Sequence, residues 1–178
     1  MERISLIRSV DMKGSIELYK DARTVASPAA GHIIRLDELR DGFYSKRRAG
    51  DGFAIRPLLL SFPQRMTELM RLGDISVFSP VSGAVTELAE DRISLRTGDN
   101  LSISLHLGSI DGIEWSATLG SVLRKGDAIC RFRREAALDN GFGGAVLTLF
   151  TQPLQISELH VDTGFRFKGD RVAFFRLR

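Results

Sequence analysis

The sequence predicts a mainly β protein: a sandwich or barrel of duplicated hairpin motifs with one or two short helices. Three observations support this fold class. Apolar and polar residues alternate in many short segments, turn signals separate nearly all of these segments, and two turn motifs recur along the chain. Because helical spacing is sparse, we expect each hairpin to bury its apolar face against other hairpins.

The recurring turn motifs define the units of the fold. Ser-Pro-x-x-Gly followed by an apolar run occurs at 27–36 and again at 79–88. Lys-Gly-Asp before an apolar segment occurs at 125–129 and 168–172, and a related Gly-Asp opens the segment at 50–55. Since each motif joins a turn to a strand, the repeats indicate duplicated β-hairpins.

Individual elements follow from alternation and from enrichment in Phe, Val and Ile. Strands are expected at about 31–36, 53–57, 83–88, 92–97, 101–107, 128–133, 145–151 and 171–177. Helical patterns occur at 63–71 and at 134–138, where Asn-Gly at 140–141 ends the turn. We expect residues 1–25 to form an N-terminal arm or an extra strand, and residues 26–178 to form a single domain.

Composition excludes several classes of protein. The chain has 178 residues, is 43% hydrophobic and contains one Cys and three His, which excludes disorder, a disulfide framework and a Cys-rich zinc module. No apolar run is long enough for a membrane span, so we expect a cytoplasmic protein. The net charge of +3 is small and the basic residues are scattered, so no nucleic-acid partner is expected. Neither a cofactor nor a metal site is expected.

The hairpin at 92–106 carries the candidate site. If its turn is centred on Asp99, Arg92 lies directly opposite His106 on the polar face of the hairpin. A neutral imidazole is a nucleophile near pH 7 when its other nitrogen is held, and a guanidinium binds phosphate oxygens with two parallel hydrogen bonds. The pair therefore fits phosphoryl transfer, but from these residues alone two ordinary cross-strand neighbours are the more frequent case.

Four motifs occur in order along the chain: Ser-Pro-x-x-Gly-x-Ile from 27, Arg-Arg-Ala-Gly-Asp-Gly-Phe-Ala-Ile-Arg-Pro from 47, Ser-Pro-Val-Ser-Gly-Ala-Val from 79 and Leu-His-Leu-Gly from 105. In this order the chain resembles the glucose-type IIA domain of the bacterial phosphoenolpyruvate-dependent sugar phosphotransferase system. The resemblance covers roughly residues 25–178, with additional residues at 58–72, and its combined motifs are far more specific than any single one.

The resemblance implies a phosphocarrier. His106 would accept a phosphoryl group from the histidine phosphocarrier protein and pass it to a IIB domain of a sugar permease, with peripheral contact to that membrane permease. Arg92 falls at the position of the family's second active-site His, where a phosphate contact would favour the phosphorylated state and retard onward transfer. Asp41, Tyr44 and Asp111 are the candidate binding residues.

One segment departs from the family in its charge. Residues 46–48 read Lys-Arg-Arg. In the family the phosphocarrier protein offers a partly basic face, so like-charge repulsion would weaken the encounter if these side chains lie at the interface. If they face solvent elsewhere, they have no effect on docking.

Two alternatives remain open. A non-catalytic regulatory or interaction domain would keep the fold and lose the transfer chemistry, which Arg92 favours and the retained His106 opposes. A degenerate zinc endopeptidase of the lysostaphin type is disfavoured, because Ser104 stands where the first His of a His-x-His ligand pair is needed. The remaining histidines, His32 and His160, are expected to be structural.

Overall fold

The computed structural model describes residues 23–39, 41–58 and 73–178. The strands within them are β1 (Arg23–Ala26), β2 (Gly31–Arg35), β3 (Asp51–Pro57), β4 (Asp74–Phe78), β5 (Gly83–Leu88), β6 (Arg92–Arg96), β7 (Ser102–His106), β8 (Glu114–Trp115), β9 (Val122–Leu123), β10 (Ala128–Arg133), β11 (Val146–Phe150), β12 (Ile156–Val161), β13 (Gly164–Arg166) and β14 (Arg171–Leu177). A short helix, α1, spans Arg134–Ala137, and 3-10 turns span Leu36–Leu39 and Pro153–Gln155. The predicted helix at 63–71 lies outside the described residues, as does the segment at 58–72 beyond Leu58.

The strand pairs in this part of the chain are antiparallel and form three sheets. The largest has the order β13-β2-β3-β11-β7-β6-β5-β9, and the other two have the orders β1-β14-β12 and β4-β10-β8. The predicted fold class is confirmed, and each predicted strand is present within two residues of its expected bounds. The strands that were not predicted include β8 and β9, with two residues each, and β12, which buries only its first residue. Such segments carry too little alternation to be recognised.

The repeated turn motifs make matching hydrogen bonds. In each Ser-Pro motif the Ser Oγ donates to the carbonyl two residues later, at 2.7 Å in both. Each motif also joins one Lys-Gly-Asp turn: Ser27 N donates to Asp170 O at 2.7 Å, and Ser79 N donates to Asp127 O at 2.8 Å. The duplication predicted from the sequence is therefore present in the backbone.

The large sheet is covered on both faces near its centre. Its inner face carries the apolar side of the β6–β7 hairpin, which is fully buried as predicted. On the outer face, a second and smaller core covers β2, β3 and β11 and consists of Ile34, Leu36, Ala54, Ala145, Leu147 and Leu149. Tyr44 and Ala49 pack against this second core, which therefore supports the loop at 41–50.

A β-bulge in β5 shapes the polar face beside the hairpin. The register between β5 and β6 shifts after Val85, so that Val85 faces Leu95 but Glu87 faces Ser94. A bulge of this kind re-aims the following side chains. Here it turns Glu87 to the polar face, while Leu88, opposite Ile93, stays against the main core.

The N-terminal part of the described chain belongs to a sheet. Strand β1 pairs with β14 and crosses the boundary predicted at residue 25. The division into an arm at 1–25 and a domain at 26–178 stays a prediction. None of the helices in the described ranges is long and apolar enough to cross a membrane.

Candidate functional site

Pairing of β6 with β7 places Arg92 beside His106. The strands adopt the register predicted from the turn, with Arg92 opposite His106 and Ser94 opposite Ser104. Residues paired in this way have Cβ atoms about 4.5–5.5 Å apart. On the other side of β7, Leu147 of β11 faces His106. The imidazole therefore has a cationic neighbour on one strand and an aliphatic neighbour on the other.

Tyr44 engages one ring nitrogen of His106. Its Oη lies 3.1 Å from Nδ1, and the two rings meet edge to face with their centroids 5.4 Å apart. Tyr44 also packs edge to face against Phe142, at a centroid distance of 5.2 Å. Nε2 of His106 has no hydrogen-bond partner among the described residues, so it is the ring nitrogen that is left for chemistry.

Asp41 fixes the turn that carries Tyr44. Its carboxylate accepts hydrogen bonds from the backbone N–H groups of Phe43, Tyr44 and Ser45, at 3.1, 3.1 and 2.9 Å. Burial acts to raise the pKa of Asp41, but these backbone donors, with Ser45 first, outweigh it and hold the pKa below its usual value. Asp41 thus positions Tyr44, and through Tyr44 it positions the imidazole.

Two carboxylates engage the guanidinium of Arg92. Glu87 Oε1 accepts a hydrogen bond from Nε at 3.0 Å and forms an ion pair with Nη2, also at 3.0 Å. Asp91 Oδ1 accepts a longer hydrogen bond from Nη1 at 3.4 Å. Glu87 is held in turn, because its Oε2 accepts the hydroxyl of Ser94 at 2.9 Å. The Ser94 hydroxyl and Arg92 together lower the pKa of Glu87. A phosphate contact by Arg92 would therefore compete with partners already in place.

The surroundings of His106 favour its neutral form. Burial of the imidazole is the main cause that lowers its pKa, and the charge of Arg92 acts in the same direction. Asp91 and Glu87 oppose this shift without reversing it. The nucleophilic, neutral imidazole is therefore the form that prevails at pH 7.

His106 and Arg92 line an open depression of about 620 Å³ on the polar face of the sheet. Its other polar lining residues are Thr86, Glu87, Ser94, Arg96, Ser102, Ser104 and Thr151. Small-molecule sites are usually enclosed and mostly apolar. An open depression lined by hydroxyls and charges suits a group presented by another protein.

Asn140 fixes the chain directly after His106. The buried side-chain amide makes four hydrogen bonds of 2.8–3.0 Å, with the backbone of Leu107 and of the 142–145 loop that carries Phe142. At Gly108 a Cβ atom would lie 2.1 Å from the backbone carbonyl oxygen of Asn140, and the φ angle of Gly108 is +76°. This close approach explains why the Leu-His-Leu-Gly motif ends in Gly.

The remaining candidates lie apart from this cluster. Asp111 is exposed in the turn after β7, and no hydrogen bond or ion pair between described residues joins it to His106 or Arg92. His160 stacks on an aromatic ring, with Nε2 3.1 Å from Asp162, and His32 is exposed on β2. Within the described residues, no three His, Cys, Asp or Glu side chains form a group that could hold a metal ion.

Four residues of the site are not predicted from the sequence: Glu87, Asp91, Ser94 and Asn140. A signal for Glu87 is present, since the apolar residues at 85 and 88 break the two-residue alternation as a bulge requires. The sequence pattern marks Asn140 only as the end of a helical turn, because its buried hydrogen bonds depend on tertiary structure.

Comparison with known protein families gives a match over most of the chain. The family described as phosphoenolpyruvate-dependent sugar phosphotransferase system, EIIA 1, matches residues 23–155.

Relatives and solved structures are similar over most of the chain. A lactose permease of Lactobacillus helveticus is 24% identical over 156 residues, which cover 83% of this chain and 22% of the permease, so the chain spans about a fifth of that relative. A PTS system glucose-specific EIIA component of Staphylococcus aureus is 23% identical, covering 86% of this chain and 89% of the relative. The structure of glucose permease IIA from Mycoplasma capricolum aligns with a TM-score of 0.70 at 24% identity, over 86% of this chain and 95% of that chain. This likeness shows a shared fold.

Proposed function

Because the chain belongs to the EIIA 1 family of the phosphoenolpyruvate-dependent sugar phosphotransferase system, we propose that it acts as a IIA phosphocarrier whose acceptor is His106. The donor is the histidine phosphocarrier protein, and the recipient is a IIB domain of a sugar permease. The observation that carries the proposal is the state of the imidazole: Nδ1 is engaged by Tyr44, while Nε2 is unpartnered among the described residues, in a side chain that lines the open depression.

The transfer step uses Nε2 as the nucleophile. Its lone pair attacks phosphorus in the phosphohistidine of the donor, a P–Nε2 bond forms, and the P–N bond to the donor imidazole breaks with its electron pair returning to that nitrogen. The reactive tautomer of His106 carries its proton on Nδ1 and donates it in a hydrogen bond to Tyr44 Oη. The proton remains on Nδ1 while the phosphoryl group is bound.

Arg92 makes the phosphorylated state longer-lived than it would be without a cation. From its position opposite His106, its guanidinium can reach phosphoryl oxygens on Nε2, and such charge-assisted contacts are stronger than neutral ones. A contact that stabilises phosphohistidine more than the transition state slows the next step. Onward transfer to IIB is therefore retarded by Arg92.

The basic segment at 46–48 affects docking less than its sequence suggests. All three side chains are exposed, but Arg47 forms an ion pair with Asp51 at 3.3 Å. Lys46 and Arg48 lie on the loop that also carries Tyr44, and neither has an ion-pair partner among the described residues. They weaken association with a basic phosphocarrier face, and more so at low salt.

The proposal is tested by phosphorylation with labelled phosphoenolpyruvate and the general phosphodonor proteins. We expect acid-labile label on the natural protein and on His160→Gln, and none on His106→Gln. Discharge to a IIB domain should be faster from Arg92→His than from the natural protein. Equal discharge rates would refute the role of Arg92, and label that persists in His106→Gln would refute the role of His106.

A second candidate is a non-catalytic interaction domain. It is favoured by the ion pairs of Arg92 with Glu87 and Asp91, which engage the phosphate-binding cation in the unphosphorylated protein. A folded protein that takes no label from any donor would support this candidate and overturn the first one.

A further inference from the structure

The bulge in β5 brings a carboxylate against the cation that faces His106. Without the bulge, Glu87 would pair with Ile93 and lie on the apolar face of the hairpin. With the bulge, Glu87 pairs with Ser94 and reaches Arg92. The bulge therefore produces the ion pair between Glu87 and Arg92 beside His106.

Glu87 is held more firmly than an ordinary surface partner. One of its carboxylate oxygens accepts a hydrogen bond from Nε of Arg92 and pairs with Nη2, and the other accepts a hydrogen bond from the Ser94 hydroxyl. Ser94 Oγ also lies 3.1 Å from the buried Ser104 Oγ, so this short network is anchored in the sheet. Asp91 adds a longer contact with the opposite end of the guanidinium.

We propose that Glu87 is a positioning residue that keeps phosphohistidine 106 labile by holding the guanidinium of Arg92. This inference rests on the proposed function and concerns the regulation of the same site. In the phosphorylated protein three anions compete for one guanidinium: the phosphoryl group, Glu87 and Asp91. Arg92 then stabilises the phosphoryl group only in part. Glu87 therefore limits how much Arg92 can slow the loss of that group from His106.

Electrostatic repulsion also shortens the lifetime of the phosphoryl group on His106. Glu87 and Asp91 lie close enough to act on the charge of His106. A phosphoryl dianion on Nε2 is therefore placed near two carboxylates, whose repulsion favours loss of the group. In hydrolysis, a water oxygen bonds to phosphorus, the P–Nε2 bond breaks with its electron pair left on Nε2, and inorganic phosphate is released.

The test uses phosphoramidate, a chemical donor that needs no partner protein. The full chain is phosphorylated, the donor is removed, and the half-life of phosphohistidine 106 is followed by 31P NMR at pH 7.5. Glu87→Gln keeps the shape of the side chain and removes its charge. Glu90→Gln is the matched control, because Glu90 is an exposed acid in the turn between β5 and β6 and lies outside the depression.

We expect Glu87→Gln to lengthen the half-life about three- to tenfold, less than a full charge-assisted bond would give, because the guanidinium of Arg92 is partly exposed to solvent. Glu90→Gln should leave it unchanged, and Glu87→Asp should restore part of the natural lability. In the Arg92→Gln background, Glu87→Gln should change the half-life much less. The pKa of His106, measured by NMR, should fall in Glu87→Gln, a readout that general destabilisation would not produce.

An unchanged or shorter half-life in Glu87→Gln, with His106 labelled, would overturn the inference. An equal effect in the Arg92→Gln background would do the same, because Glu87 would then act without Arg92. If phosphoramidate labels His106 but the phosphodonor proteins do not, the proposed function fails while the half-lives still decide the role of Glu87.

Discussion

Replacing Tyr44 with Phe removes the hydroxyl that engages His106 and little else. The ring of Phe would keep the edge-to-face contacts with Phe142 and Phe43, whose centroids lie 5.2 and 5.1 Å from that of Tyr44. Folding should therefore be preserved. The change isolates one contact, the 3.1 Å hydrogen bond between Oη and Nδ1.

The size of the effect follows from the kind of bond. A neutral hydrogen bond that is partly shielded from water contributes about 0.5–1.5 kcal/mol net, which corresponds to about a two- to tenfold change in an equilibrium or a rate. We expect the ratio of the Nδ1-protonated to the Nε2-protonated tautomer of His106 to fall by that factor in Tyr44→Phe. The rate of phosphoryl acceptance at Nε2 should fall with it, because only this tautomer leaves the Nε2 lone pair free.

Two measurements check this prediction. 15N NMR of labelled histidine reports the tautomer, and quenched-flow labelling reports the rate of acceptance. Asp41→Ala should act through the same contact, since it releases the turn that holds Tyr44, so the two changes together should cost less than their sum. An unchanged tautomer and rate in Tyr44→Phe, or a natural protein whose His106 carries its proton on Nε2, would refute the reasoning.

Further predictions concern stability and reactivity. The pKa of His106 is lowered on folding, so the unfolded state binds more protons below its own pKa of about 6.5. The free energy of unfolding should therefore rise with pH from the folded pKa up to about 6.5, and His106→Gln should flatten this rise in urea titrations; an unaltered slope would contradict it. Asn140→Ala should cost about 2–4 kcal/mol in the same assay, because it leaves several buried backbone groups unpaired, and a cost below about 1 kcal/mol would show that the loop reorganises. Thr148→Val should raise the free energy of unfolding by about 1 kcal/mol, because the buried Oγ1 has no partner in the described residues, and a loss of stability would count against this. Burial raises the pKa of Cys130 to about 12, so thiol reagents at pH 8 should modify it only as fast as the protein unfolds; rapid modification of the native protein would contradict this.

Local pattern is sufficient to predict the fold class and the pairing of Arg92 with His106, but not the role of that pair. Strict alternation on both sides of a short turn determines register, and this is why the residue pattern alone predicts that Arg92 lies opposite His106. The repeated Ser-Pro and Lys-Gly-Asp motifs similarly indicate duplicated units, because each contains its own turn chemistry. These inferences need only the period of a strand and the geometry of a turn.

The features that local pattern does not predict depend on contacts between distant segments. Tyr44 is a candidate binding residue by resemblance, but its bond to Nδ1 spans 62 positions and requires the second core beneath the 41–50 loop. The resemblance implies a binding role for Asp41, and the structure shows its carboxylate bonded to the backbone of that loop. The contact of Glu87 with Arg92 depends on a bulge, which a plain period-two pattern does not show.

NMR of the phosphorylated, 15N-histidine-labelled protein tests the central claim most directly. A coupling between 31P and 15N identifies the ring nitrogen that carries the phosphoryl group. The structure predicts a single phosphohistidine, at Nε2 of His106, with the proton on Nδ1. A phosphoryl group on Nδ1 of His106, on His32 or on His160, or a protein that takes no phosphoryl group from the phosphodonor proteins, would contradict it.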